Sequence, residues 1–139
     1  MSRPPLGRVL ETNVFVEGVE RSLDFYGGVF GFPVLVSLER IAALDVEGQQ
    51  VLLLSKKGAS TQAIQTPGGV IPPHDGEGSQ HLAFAINAED LGSWERWLVE
   101  QEVEVESKVH WEEGGQSLYF RDPDGNLLEL VTPGCWETY

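Results

Sequence analysis

One pattern of strand and helix signals occurs twice along this 139-residue chain. A duplicated unit narrows the accessible folds more than any single motif, because equivalent positions in the two copies must occupy equivalent places. Residues 9–16 alternate as a strand, and Val19, Leu23, Tyr26 and Phe30 then recur at helical spacing until Gly31 and Pro33 end the helix. Three short strand-like runs follow at 34–37, 41–46 and 51–55, with Glu47-Gly48 as the turn before the last. Residues 56–79 are rich in Gly, Pro, Ser, Thr and Gln and read as a linking loop with no packed element. The pattern then restarts. Residues 81–86 form a strand, Asn87 is the expected N-cap, and Leu91, Trp94 and Leu98 mark the buried stripe of a second helix. Strands at 103–109, 117–121 and 127–131 complete the copy, so each half reads βαβββ.

The repeat exposes a cluster of polar positions. The helices align with Val16-Glu17 against Ile86-Asn87, which superposes Glu11 on His81. Aligning the last strands through their turn glycines, Gly48 and Gly125, gives Glu129 the counterpart Leu52. Asp122-Pro123-Asp124-Gly125 is a tight turn, with Pro presetting φ and Gly supplying positive φ, so Glu129 lies in a short apolar strand beyond it. A carboxylate among Leu and Val is costly to bury without a partner or a metal ion, which makes Glu129 a candidate ligand.

Strand parity groups these positions. In the first strand Leu10, Thr12, Val14 and Val16 face the helix, leaving Glu11, Asn13 and Phe15 opposite; in the fifth, Leu82, Phe84 and Ile86 leave His81, Ala83 and Ala85. Leu118 and Phe120 likewise leave Ser117, Tyr119 and Arg121. The expected fold is therefore α+β: two βαβββ repeats forming a curved mixed sheet, a cup with its helices outside. Glu11, His81 and Glu129 are expected to look into it, with Ser117 and Tyr119 at its edge.

The length suits a single domain over 1–139, composed of halves 9–55 and 80–132 joined by 56–79. A formal charge of −13 argues against nucleic acid and against an anionic membrane surface, both of which require clustered Lys and Arg. Cys135 is the only cysteine, so no disulfide forms within the chain and a reducing compartment is expected. With no signal-peptide pattern at the start and no apolar run of membrane-spanning length, the cytoplasm is the expected location.

The segments Leu10-Glu11-Thr12-Asn13-Val14-Phe15-Val16, Ser22-Leu23-Asp24-Phe25-Tyr26, Gln80-His81-Leu82-Ala83-Phe84 and Ser117 to Asn126 with Glu129 together resemble the vicinal oxygen chelate superfamily. That superfamily includes glyoxalase I, fosfomycin-resistance proteins, extradiol dioxygenases and bleomycin-resistance proteins. The resemblance runs nearly the whole chain and is specific for the superfamily, not for one activity. It implies a metal cup built from two βαβββ halves and a homodimer, in some members with halves exchanged. It puts metal ligands at Glu11, where the superfamily often has His, at His81 and at Glu129. Glyoxalase I enzymes commonly carry a fourth ligand in the fourth strand, a role that Leu52 cannot fill.

Two carboxylates and an imidazole suit one divalent ion, with Fe, Mn, Zn, Ni and Co all compatible. Three protein ligands leave positions at which a small oxygenated substrate chelates. Tyr119 is expected to donate a hydrogen bond to a substrate oxygen, and Ser117 either to do the same or to orient a ligand. Arg121 is expected to anchor Asp122 or Asp124, and His74 and His110 to be surface histidines. Two functions follow: a metal-dependent enzyme, whether lyase, isomerase, transferase or dioxygenase, or a bleomycin-resistance-like protein that sequesters a small cationic molecule without catalysis.

Overall fold

The computed structural model describes residues 2–139, which form two compact units that divide between Gly76 and Glu77. The boundary falls inside the linking segment. In the first unit β1 (Glu11–Val16) leads into α1 (Val19–Phe30), then β2 (Val34–Ser37), β3 (Ile41–Val46) and β4 (Gln50–Lys56). The sheet order is β1-β4-β3-β2, with β1 parallel to β4 and the other pairs antiparallel. This is one open, mixed βαβββ sheet.

Helix α1 ends where the sequence stops it. Gly31 adopts φ 70° and its N–H bonds the Gly27 carbonyl at 3.0 Å, a left-handed cap that glycine takes without steric cost. The stripe that α1 buries is Val19, Ser22, Tyr26 and Val29, with Leu23 and Phe30 only half-buried. The aromatic residues explain this offset from the expected stripe: the Phe30 ring stacks on both Phe32 and Tyr26. Val14, Val16, Leu44, Leu52 and Leu54 form the remaining core of this unit.

Beyond β4 the expected loop contains a small hairpin, β5 (Ile64–Thr66) and β6 (Gly69–Ile71). The Pro67-Gly68 pair makes its turn, and Thr66 Oγ1 donates to the Gly69 carbonyl at 2.7 Å. The segment then returns over β1. His74 meets the Phe15 ring edge-on at 5.8 Å, and at Gly76 a Cβ would lie 2.6 Å from the same ring. Phe15 is thereby buried on the sheet face opposite α1.

The second unit repeats the topology with β7 (His81–Ala85), α2 (Leu91–Glu100), β8 (Ser107–His110), β9 (Gln116–Arg121) and β10 (Leu127–Val131), in the order β7-β10-β9-β8. Asn87 heads a single 3₁₀ turn, Ala88–Asp90, and caps no backbone group; its amide donates to the Asp90 carboxylate instead. The expected strand at 103–109 is shorter because the helix exit runs on: Glu102 takes φ 58° and the Val103 N–H bonds the Leu98 carbonyl. Leu98, Leu118, Phe120, Leu128 and Leu130 make the core of this unit.

The pairings correct one equivalence. Glu11 pairs with Val51 and His81 with Leu127, so Glu129, opposite Ala83, corresponds to Leu53, opposite Asn13, and not to Leu52. The parallel pairs cause the slip. Leu52 and Glu129 each stand two residues beyond the residue that closes their hairpin, Gln50 and Leu127, but β1 meets β4 one residue further along than β7 meets β10. The apolar character of the fourth position is unchanged.

Candidate metal centre

The turn between β9 and β10 builds the site's frame. Asp122 Oδ1 accepts the N–H groups of Asp124 and Asn126, both at 2.9 Å, and its Oδ2 accepts the Asn126 side-chain amide. Asn126 Oδ1 in turn accepts the Gln80 N–H at 2.9 Å, and the Leu127 N–H bonds the Gln80 carbonyl at 2.8 Å. His81 is therefore held beside Leu127 before its own side chain contributes. Arg121 is held mainly from outside the turn. It pairs with Glu106, at 2.8 Å from Nε to Oε2, and also donates to Ser79 Oγ and the Gly125 carbonyl.

His81 Nδ1 lies 2.8 Å from the Leu127 carbonyl, which can only accept, so Nδ1 carries the proton. The other ring nitrogen, Nε2, faces Glu129 Oε1 at 3.3 Å. In the neutral imidazole these are two acceptors aimed at each other, and the Glu129 side chain is only 8 % exposed. A proton on Nε2 or a cation between the two atoms resolves the opposition. A neutral imidazole with its far nitrogen hydrogen-bonded to a carbonyl is also the usual state of a metal-bound histidine. The donor set thus fits a divalent cation.

Glu129 is held from its other oxygen. Ser117 Oγ donates to Oε2 at 2.6 Å and accepts the indole N–H of Trp111 at 2.9 Å. Ser117 is fully buried and its hydroxyl is committed to the carboxylate. Tyr119 lies directly opposite Glu129 in the β9–β10 register, and its ring lies near-parallel to that of His81, 6.3 Å away. Burial first, and then the Glu129 charge, push the Tyr119 phenol above its ordinary value of 10.0. It is a hydrogen-bond donor at neutral pH. Cys135 is raised in the same way, by burial and then by Glu129, and so remains a thiol at neutral pH.

Glu11 stands exposed at the start of β1 in the first unit, on the face shared by Asn13 and Phe15. Among the described residues no group of three or more His, Cys, Asp or Glu is gathered. The pair His81–Glu129 is what the second unit itself assembles. His74 accepts from Asn13 at 3.4 Å and packs on Phe15, so it has a structural role within the first unit. Trp111 was not legible as a site residue, because its position next to the strand's end gives no periodic signal. Only the hairpin geometry reveals it.

A model of the Glyoxalase/Bleomycin resistance protein/Dioxygenase superfamily matches residues 8–130. The chain belongs to that superfamily. Metallothiol transferase FosB of Bacillus licheniformis is 35% identical over 123 residues, which cover 88% of this chain and 73% of that protein. Catechol-2,3-dioxygenase of Bacillus subtilis is 32% identical over 116 residues, 83% of this chain but only 38% of that longer protein. Among solved structures, lactoylglutathione lyase from Agrobacterium tumefaciens superposes with a TM-score of 0.87 at 27% identity, covering 96% of this chain and 99% of that one. These superfamily relatives are a transferase, a dioxygenase and a lyase by name, and the expectation of an enzyme stands with them. The α+β architecture of two βαβββ repeats with open mixed sheets is likewise that of the superfamily. No helix of the described chain is long and apolar enough to cross a membrane.

Proposed function

We propose that this chain is a divalent-metal-dependent enzyme acting on a small oxygenated molecule, with His81 and Glu129 as two ligands of the ion and Glu11 as the third. The observation that carries the reading is the approach of His81 Nε2 to Glu129 Oε1 at 3.3 Å while Nδ1 is held by the Leu127 carbonyl, a geometry that a cation between the two atoms satisfies. The third ligand rests on the repeat, in which Glu11 and His81 hold the same register position at the start of the parallel edge strand. A bound divalent ion supplies Lewis acidity toward oxygens of the substrate. Beside it, the Tyr119 phenol donates a hydrogen bond to a substrate oxygen on which negative charge develops, a role that its raised pKa preserves at neutral pH.

The named relatives carry out different reactions, so they support metal-assisted chemistry on a small molecule without selecting lyase, isomerase, transferase or dioxygenase. A homodimer in the cytoplasm is part of the same proposal. The acidity of the chain, −13, is the one feature that favours a rival reading as a sequestering protein for a cationic molecule. Such a binder has no need of an imidazole and a buried carboxylate brought together.

Protein purified without a chelating column is expected to contain about one divalent ion per chain by elemental analysis. Metal-free protein that takes up none of Mn²⁺, Fe²⁺, Co²⁺, Ni²⁺ or Zn²⁺ on reconstitution sinks the reading. Calorimetric binding of a cationic glycopeptide by that same metal-free protein would replace it with the sequestering one.

A further inference from the structure

We infer that Trp111 is a positioning residue for the metal centre, acting through Ser117 to hold Glu129 as a ligand through a single oxygen. The inference rests on the proposed metal centre and specifies how its carboxylate is presented. An indole N–H can only donate and a carboxylate can only accept, so the chain Trp111 Nε1 to Ser117 Oγ to Glu129 Oε2, at 2.9 and 2.6 Å, runs in one direction. The Trp111 donor occupies a lone pair of the hydroxyl, and this directs the hydroxyl proton at Oε2. With Oε2 so engaged and buried, Oε1 is the oxygen turned toward His81. Each link is polarised by the next, and the chain ends on an ionised group, where hydrogen bonds are shortest and strongest.

The hairpin that carries Trp111 is built to hold it still. The Trp111 N–H bonds the Gly115 carbonyl at 2.8 Å, and the Gly114 N–H bonds the Trp111 carbonyl at 3.0 Å. The turn is clamped from outside by the C-terminal segment, where the Gly115 N–H bonds the Gly134 carbonyl at 3.2 Å. The approach leaves no room for a side chain on either residue: a Cβ on Gly115 would lie 2.6 Å from the Gly134 carbonyl carbon, and one on Gly134 would lie 2.5 Å from the Gly115 nitrogen. Fixed backbone at Trp111 and a fully buried Ser117 leave the carboxylate little freedom to turn. A carboxylate freed of this chain would be able to rotate and offer both oxygens to an ion, occupying a position that the substrate needs.

The test titrates metal-free protein with Mn²⁺, reading the free ion by electron paramagnetic resonance, and records the absorption spectrum of the Co²⁺ form. Wild type is compared with Trp111→Phe, which keeps the ring and loses the donor, with Ser117→Ala and Ser117→Thr, and with His81→Ala. Trp111→Phe and Ser117→Ala are each expected to weaken Mn²⁺ binding by about tenfold or more, the scale on which groups that orient a ligand act. Both are expected to alter the Co²⁺ spectrum, while Ser117→Thr, which restores the hydroxyl, returns both readouts toward wild type. Urea midpoints of the metal-free variants separate lost orientation from lost folding, since a smaller folded fraction lowers the amplitude of the Co²⁺ spectrum without changing its shape. Wild-type affinity and an unchanged spectrum in Trp111→Phe overturn the inference. Absence of binding by wild type, or equal binding by His81→Ala, overturns the metal centre itself and is recognisable because it does not involve the Trp111 variant.

Discussion

Asn126 Oδ1 accepts the backbone N–H of Gln80 at 2.9 Å, so the turn that precedes the Glu129 strand also fixes the start of the strand that carries His81. Asn126 is fully buried and reaches Asp122 through both its backbone and its side-chain amide. One side chain thus couples the strands that carry His81 and Glu129 across 46 residues of sequence.

Asn126→Ala is expected to destabilise the fold by about 1–3 kcal/mol, because the Gln80 N–H and the Asp122 carboxylate each lose a buried partner. Chemical denaturation of metal-free protein measures the loss. An unchanged midpoint means that the Asp122 turn stands without its asparagine.

Glu129→Gln keeps the shape of the side chain and removes its charge, so metal affinity is expected to drop by about a hundredfold or more while the secondary structure stays intact. Equilibrium dialysis against Zn²⁺ or Mn²⁺ with far-ultraviolet circular dichroism checks both halves of the statement. Equal metal content in wild type and variant removes Glu129 from the site.

Gly134→Ala combines two faults, a left-handed φ of 104° and a Cβ placed 2.5 Å from the Gly115 nitrogen. A loss of about 1–3 kcal/mol is expected, with neither neighbour able to give way because both contacts are backbone. Gly31→Ala, strained in φ at 70° but with open space around its Cβ, is expected to cost less. Thermal melts of the two variants side by side separate steric from dihedral strain.

Arg121, by hydrogen bond and then by charge, holds the Glu106 carboxyl below its ordinary value of 4.5. A lowered folded-state pKa means that the pair stabilises the fold above 4.5 and that this contribution fades as pH falls through the folded value. Glu106→Gln should therefore be less stable than wild type at pH about 7 and indistinguishable from it at pH about 2, where both side chains are neutral. Both partners are substantially exposed, so high salt should shrink the difference. Urea midpoints across that range test the sign; a difference that grows on acidification contradicts it.

The repeat and the fold class were legible in the sequence because each rests on local chemistry. Helix α1, strands β2 and β3 and strand β10 lie where periodicity and turn residues put them. The hairpin at Ile64–Ile71 was hidden by the same Gly and Pro that make its turn, which at the level of composition are indistinguishable from a loop. The pairing of Arg121 with Glu106 was not legible, because the two are 15 residues apart and meet only when the strands are laid side by side.

What the sequence by itself determined is that His81 and Glu129 share a sheet face, since a side chain's face follows from strand parity alone. Which residue stands level with which was decided by tertiary structure: β1 meets β4 one residue further along than β7 meets β10, which makes Leu53 the counterpart of Glu129, and no alternation pattern reports how two strands are set against each other. The same holds for the tautomer of His81 and for the line from Trp111 through Ser117 to Glu129. A hydrogen bond depends on distance and direction between atoms that the chain brings together only when it folds.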